Sequence, residues 1–147
     1  MSGNRLDVVL ELARRDEQTE AGKLARLNKH LEDQRRRREQ LIQYGAEYRA
    51  RIASDARRGI NAHTYREHAA FIQHIQTSID GQAKTFSVLE SRVEQQRQRW
   101  AEARTRVKSL ERAIEKAARE KAARRERHAQ LAADEWSQTR RIATEAD

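Results

Sequence analysis

A seven-residue repeat of apolar side chains runs through the second half of the chain and restricts its fold more than any other feature. Its first position is apolar or aromatic in every heptad and is held by Tyr65, Ile72, Ile79, Phe86, Val93, Trp100, Val107 and Ile114. The position three residues later is held by His68, Ile75, Gln82, Leu89, Gln96, Ala103, Leu110 and Ala117. These are a and d positions of a coiled coil, so they form one helical stripe that must pack against another helix.

A weaker form of the same repeat occupies the first part of the chain and supplies the partner helix. Its a positions are Leu10, Glu17, Leu24, Leu31, Arg38, Gly45 and Ile52, and its d positions are Leu6, Ala13, Glu20, Leu27, Gln34, Leu41 and Tyr48. Several of these residues are polar. Polar core positions fix the register of a coiled coil and lower its stability.

Between the two repeats lies one segment with turn-forming residues, from Ser54 to His63. The chain has no proline and only five glycines, which excludes folds built from many hairpins. Thr64 and Glu67 follow the segment with the spacing of a capping box, which indicates the start of a second helix. A short turn makes neighbouring helices antiparallel.

The sequence therefore predicts an all-α fold, in which two long helices form an antiparallel coiled-coil hairpin and the C-terminal helix overhangs. The whole chain forms one elongated unit, with helix 1 at about 3–54, a turn at about 55–63, helix 2 at about 64–137 and a frayed tail at about 138–147. If the chain reverses at Gly59 and the helices run antiparallel, Leu10 lies near Val107, Leu31 near Phe86, and Ile52 near Tyr65. Helix 1 then runs out where the second repeat fails, so the last residues have no partner helix.

Several classes of protein are disfavoured by what the sequence lacks. There is no cysteine and no apolar run of the roughly 20 residues that a membrane span needs, and the N-terminus has no apolar signal core. Nucleotide-binding glycine loops and a hydrolase nucleophile motif are missing, and the five histidines are scattered. We expect a cytoplasmic protein that is not an enzyme, with no cofactor, no metal and no small-molecule substrate.

The net charge of +8 raises the question of nucleic-acid binding. Residues 1–58 carry 14 basic and 10 acidic side chains and residues 59–147 carry 17 and 13, so each part contributes +4. This even mixture is typical of solvated helix faces. The run Arg35–Arg38 can pair with the nearby Glu32, Asp33 and Glu39, which makes nucleic acid the less favoured partner.

The residues alone leave the role of two features of the predicted overhang undecided. A second basic run extends from Arg119 to Arg127 and could bind either an acidic protein groove or a nucleic acid. Trp136 lies outside both heptad repeats. It is either an anchor for a partner's pocket or a residue that packs on its own helix or within an oligomer.

Three segments around the turn resemble the flagellar export protein family FliJ. They are Glu39–Arg49 (EQLIQYGAEYR), Gly59–Asn61 (GIN) and Phe71–Ile75 (FIQHI), and the layout of the whole chain is also similar. The resemblance implies a component of the flagellar type III export apparatus, peripheral to the inner membrane through its partners only. It further implies a stalk whose end with both termini enters the export ATPase hexamer, whose turn region contacts the cytoplasmic domain of the export-gate protein FlhA, and which escorts export chaperones.

Carried over by position, the resemblance also suggests which residues contact the gate: Leu41, Tyr44, Tyr48, Phe71, Ile75, Ser78 and Gln82. The basic run and the tryptophan of the predicted overhang supply the candidate contacts to the ATPase ring: Arg119, Arg124, Arg125, Arg127 and Trp136. Among the gate residues, Tyr44, Phe71 and Ser78 each precede an a position and flank the core, so we predict that they form a docking stripe. The alternatives are the equivalent stalk of a virulence-type injectisome and a basic coiled-coil nucleic-acid binder.

Overall fold

Two helices account for nearly all of the chain in the computed structural model, which describes the backbone of residues 2–146 and the side chains of residues 5–146. Helix α1 spans Ser2–Arg58 and helix α2 spans Ala62–Glu145. No strand occurs among residues 2–146. The two helices pack against each other through their a and d positions, which confirms the predicted all-α hairpin.

The turn between the helices comprises only residues 59–61 and is therefore shorter than predicted. Gly59 has a φ of 92°, a conformation that glycine adopts without the steric cost of a Cβ, and its N–H donates to the carbonyl of Ala56 at 3.2 Å. Because no proline precedes this glycine, α1 continues past the predicted end at residue 54. The chain reverses at the first residue that reaches positive φ.

The cap of α2 also differs from the expectation of a box formed by Thr64 and Glu67. The side-chain oxygen of Asn61 accepts the N–H of Thr64 at 2.7 Å, so Asn61 is the N-cap. Glu67 instead lies 3.0 Å from the ring of His63. Asparagine is as good an N-cap as threonine, and it comes earlier in the chain, so α2 begins at Ala62 rather than near residue 64.

The structure consists of two compact units, each containing a piece of both helices. The larger unit comprises residues 18–101. Its core contains a cluster of Leu31, Phe86 and Leu89, against which Leu27 and Val93 pack. Closer to the turn, Ile52, Ile75 and Ile79 are also buried. The contact of Leu31 with Phe86 is the one predicted for antiparallel helices that reverse at Gly59.

The polar a and d residues of the larger unit are accommodated in two ways. The side-chain amide of Gln96 is buried and donates to both the carbonyl and the carboxylate of Glu20. By contrast, Arg38 Nε and Gln82 Oε1 are shielded from solvent and have no hydrogen-bond partner. The Arg38 guanidinium lies 5.4 Å from the centre of the Phe86 ring, a favourable cation–π distance.

The second unit combines the N-terminal residues up to Glu17 with the residues from Glu102 onward. Leu10, Ala13 and Val107 form its core, and Leu110 and Ile114 pack on them. The predicted pairing of Leu10 with Val107 is thus confirmed. An ion pair of 3.3 Å between Arg14 and Glu111 joins the two helices beside this core.

Beyond this core, every described residue from Glu115 to Ala146 is exposed, including Ala117, the last predicted d position. The helix nevertheless continues to Glu145, past the predicted end at residue 137. No glycine or proline interrupts it there, and the Thr139 and Thr144 hydroxyls donate to carbonyls one turn earlier. Across the described residues, neither helix has a segment apolar and long enough to cross a membrane.

The first predicted a position of α2 is less covered than the repeat suggests. Tyr65 lies in the first turn of α2 and keeps 54% of its surface exposed, whereas Ile52 on α1 is buried. The cross-helix contact in this region is made by His68, whose Nδ1 lies 2.6 Å from the hydroxyl of Tyr48.

Candidate partner-binding surfaces

Four ring-bearing side chains from both helices form one cluster near the turn, which we call the aromatic cluster: Tyr44, Tyr48, His68 and Phe71. Tyr48 is at its centre, with its ring 4.8 Å from that of Phe71 and 6.3 Å from that of Tyr44, measured between centroids. Tyr44 and Phe71 meet edge to face at 6.4 Å. Edge-to-face and offset arrangements are the favourable geometries for aromatic pairs.

The aromatic cluster has a covered base and an open top. Tyr48 and His68 are half-buried and joined by their hydrogen bond, whereas Tyr44 and Phe71 keep 50% and 39% of their surfaces exposed. The rings of Tyr44 and Phe71 thus lie at the surface and both pack on Tyr48 beneath them. Large aromatic residues at such positions are among the side chains that often dominate protein interfaces.

The other predicted gate residues divide into packing and surface positions. Ile75 is buried, and Leu41 and Gln82 are half-buried between the helices. Ser78 is exposed, with its hydroxyl donating to the carbonyl of His74 at 3.0 Å. Tyr44, Phe71 and Ser78 are therefore the members that a partner can reach most readily. The sequence interpretation missed the contribution of His68, although its d position placed it facing α1.

Gly45 lets the two helices approach closely beneath the aromatic cluster. A Cβ at this position would lie only 3.2 Å from Cγ2 of Ile75, which is tighter than ordinary van der Waals contact. The a position that looks weakest in the first repeat is therefore filled by a side chain of the opposite helix.

Replacing Gly45 with leucine is expected to destabilise the protein by about 1–3 kcal/mol, the usual cost of overpacking a core. The thermal unfolding transition, followed by circular dichroism, measures this. Gly22→Leu is the matched control, because a Cβ there meets only the flexible end of Arg26 at 3.5 Å. Equal stability of the two variants would show that the helices do not meet closely at Gly45.

The exposed part of α2 carries the second set of predicted residues. Arg119, Arg124, Arg125 and Arg127 are all exposed, and only Arg119 has a recorded ion pair, 3.6 Å from Glu115. Trp136 keeps 63% of its surface exposed and packs against the guanidinium of Arg140 at 5.1 Å. Leu131 and Ile142 are exposed on the same segment. This segment thus presents both cationic and apolar side chains.

Ion pairs elsewhere on the helices neutralise part of the basic charge. In the first basic run, Arg35 reaches Glu90 at 3.5 Å and Arg36 reaches Glu32 at 3.6 Å. Hydrogen bonds from Arg97 lower the pKa of Glu94, and the same contact raises the pKa of Arg97. Within the described residues, no group of three or more histidine, aspartate or glutamate side chains could hold a metal ion.

These features define a coiled-coil hairpin that displays aromatic and arginine side chains, residue types that are enriched at protein interfaces. The family model described as "Flagellar FliJ protein" matches residues 1–145, and the chain belongs to this family. Family membership confirms the resemblance and associates the protein with flagellum biogenesis and type III protein export. No curated protein and no solved structure matches the chain significantly.

Proposed function

We propose that this protein is a non-catalytic stalk of the flagellar export apparatus that couples the export ATPase hexamer to the cytoplasmic domain of FlhA and escorts export chaperones. Its place would be the cytoplasmic side of the inner membrane, reached through these partners. Membership of the flagellar FliJ family favours this system over a virulence-type injectisome.

The observation that carries the gate contact is the exposed pair Tyr44 and Phe71 on top of the aromatic cluster. A binding surface gains affinity when its anchors are already fixed, because little side-chain entropy is lost on binding. The hydrogen bond between Tyr48 and His68 provides this fixation beneath the two rings. Ser78 would allow close approach beside Phe71, while Leu41, Ile75 and Gln82 would act by positioning the exposed residues.

The contact with the ATPase ring is supported by the exposed segment of α2. A single helix that is exposed on all sides can be enclosed by a ring, and its free surface then becomes the interface. Arg119, Arg124, Arg125 and Arg127 offer donors for carboxylates on the ring, and Trp136 offers an apolar anchor. The arginines would supply orientation, and Trp136 would supply affinity.

The stalk would act by binding, without performing chemistry of its own. A coupling element changes the activity of its partner only to the extent that it binds one state of that partner more tightly than another. We therefore infer that the exposed segment of α2 favours an assembled, active state of the ATPase ring.

The rate of ATP hydrolysis by the purified export ATPase tests this proposal. Adding the full-length chain should raise the rate per ATPase subunit, whereas the chain alone should hydrolyse no ATP. Trp136→Ala should reduce the stimulation, and Ile42→Ala, at an exposed apolar position near the turn, should leave it unchanged. A chain that leaves the ATPase rate unaffected at all concentrations would refute a stalk that acts on the ring.

A nucleic-acid function makes a different prediction, which the same preparation can check. Affinity for duplex DNA would fall steeply with salt, with a slope near −0.9 for each phosphate contacted. The ion pairs of Arg35 and Arg36 leave fewer free cations for such contacts. We expect only weak DNA binding at physiological salt.

A further inference from the structure

The two lateral sides of the larger unit, residues 18–101, differ in how the helices are joined. On one side, Arg35 pairs with Glu90 at 3.5 Å and Arg49 donates to Gln76 at 3.1 Å. Both contacts belong to the e positions that follow each d position, so they recur along one edge. We call this edge the bridged side.

The opposite edge is formed by the g positions, which precede the a positions, and we call it the open side. It begins at the aromatic cluster, where Tyr44 meets Phe71. Further from the turn, His30 of α1 and Thr85 of α2 hold the equivalent positions. Along this edge, no ion pair between the helices is recorded for the described residues of the unit.

A surface groove lies on the open side. Its floor contains Gly81, Thr85, Val88 and Leu89, and its rim carries the cationic side chains of Lys84 and Arg92 together with the imidazole of His30. No carboxylate is among these lining residues. The groove therefore combines a largely apolar floor with a rim on which Lys84 and Arg92 form no ion pair with any described residue, whereas several other arginines of the protein are paired with carboxylates.

Gly81 gives the groove its depth, and packing within the chain does not explain it. A Cβ at Gly81 would have no atom within 4 Å, and the residue lies inside a long helix, where glycine is less favourable than alanine. Glycine is favoured where another backbone comes very near. Val88, seven residues later on the same face, keeps 47% of its surface exposed.

We propose that this groove is a docking site for an acidic amphipathic helix of a partner protein. A groove that runs along a helix, with small residues in its floor, accepts the apolar face of another helix. The basic rim would pair with carboxylates that flank that face, which selects an acidic helix over a basic one. This site lies outside the gate contact proposed above and does not depend on it.

Charge and composition distinguish this occupant from two others. A second copy of the chain would bring another basic open side against the first, which like-charge repulsion disfavours. A nucleic-acid strand would need a longer array of cations or aromatic platforms than Lys84 and Arg92 provide. An acidic amphipathic helix would pair its carboxylates with the rim and bury its apolar face on the floor.

Photo-crosslinking in flagellated cells tests the proposal. A photoreactive phenylalanine analogue is placed at Val88 in the full-length chain, and at the exposed Ala83 on the bridged side as a control. We expect the Val88 probe to crosslink to another protein, and mass spectrometry of the crosslinked peptide should show a helical heptad pattern with net negative charge. The Ala83 probe should give at least about tenfold less of this product, the ratio that 1.4 kcal/mol produces.

Two sets of variants connect the crosslink to the groove. Gly81→Leu, and the double change Lys84→Glu with Arg92→Glu, should each lower the Val88 product about tenfold, with unchanged helicity by circular dichroism. Lys108→Glu with Lys116→Glu, which has the same eight-residue spacing on exposed positions, should leave the product intact, as should Tyr44→Ala. Absence of a Val88 product, or a product with nucleic acid, a second copy or a basic segment, would overturn the proposal.

Discussion

The combined replacement of Tyr44 and Phe71 by alanine is expected to weaken binding to the FlhA cytoplasmic domain by about a hundredfold or more. Interface residues of this type cost about 2 kcal/mol or more each when truncated, the losses of two rings that touch each other overlap, and each 1.4 kcal/mol corresponds to a factor of ten. Because Tyr44 and Phe71 are partly exposed, their loss should leave the hairpin folded. Isothermal titration calorimetry measures the affinity, and circular dichroism measures the helical content.

The matched control for this variant is Ile42→Ala. Ile42 is an exposed apolar residue only two positions from Tyr44, but it belongs to the e positions of the bridged side. Its replacement should change the affinity for FlhA very little. If helicity and binding decreased together in the double variant, Tyr44 and Phe71 would be structural residues, and the gate contact would have to lie elsewhere.

Removal of residues 118–147 is expected to abolish binding to the export ATPase while preserving the affinity for FlhA. No described residue of this segment is buried, so its loss takes no side chain from either core cluster. The thermal unfolding midpoint should therefore change little. Binding to the ATPase is measured by biolayer interferometry, with the full-length chain beside the truncated one.

Two smaller changes distinguish the apolar contact from the charged contacts within this segment. Trp136→Ala should weaken ATPase binding at any salt concentration, since it removes an apolar anchor. Changing Arg124 and Arg125 to glutamine should weaken it mainly at low salt, because exposed charges are screened as ionic strength rises. A truncated chain that still binds the ATPase would contradict the assignment of this segment to the ring.

The sequence predicted the helical hairpin well because its signal is periodic and extends over many heptads. Leu31 meets Phe86 and Leu10 meets Val107 as the pattern requires, since burial of apolar side chains decides the register. The errors lie at the ends of helices, where a single local interaction decides. At the start of α2, Asn61 is the N-cap instead of Thr64. At its end, α2 continues through residue 138 because nothing interrupts it.

The candidate surfaces were less predictable than the fold. A heptad position states that Tyr48 and His68 face the other helix, but only the three-dimensional structure shows that they join by a hydrogen bond beneath Tyr44 and Phe71. The close approach at Gly45 and the open space at Gly81 are equally invisible in a sequence, since both residues are simply glycines within helical patterns. What surrounds them gives them different roles.

The central claim is that one chain holds the ATPase and the gate through separate surfaces, and the mass of the complex in solution tests it most directly. Size-exclusion chromatography with light scattering on the chain, the export ATPase and the FlhA cytoplasmic domain should show a complex that contains all three. The Tyr44→Ala and Phe71→Ala variant should lose only FlhA, and the chain without residues 118–147 should lose only the ATPase. Competition between the two partners, or loss of both from either variant, would contradict the claim.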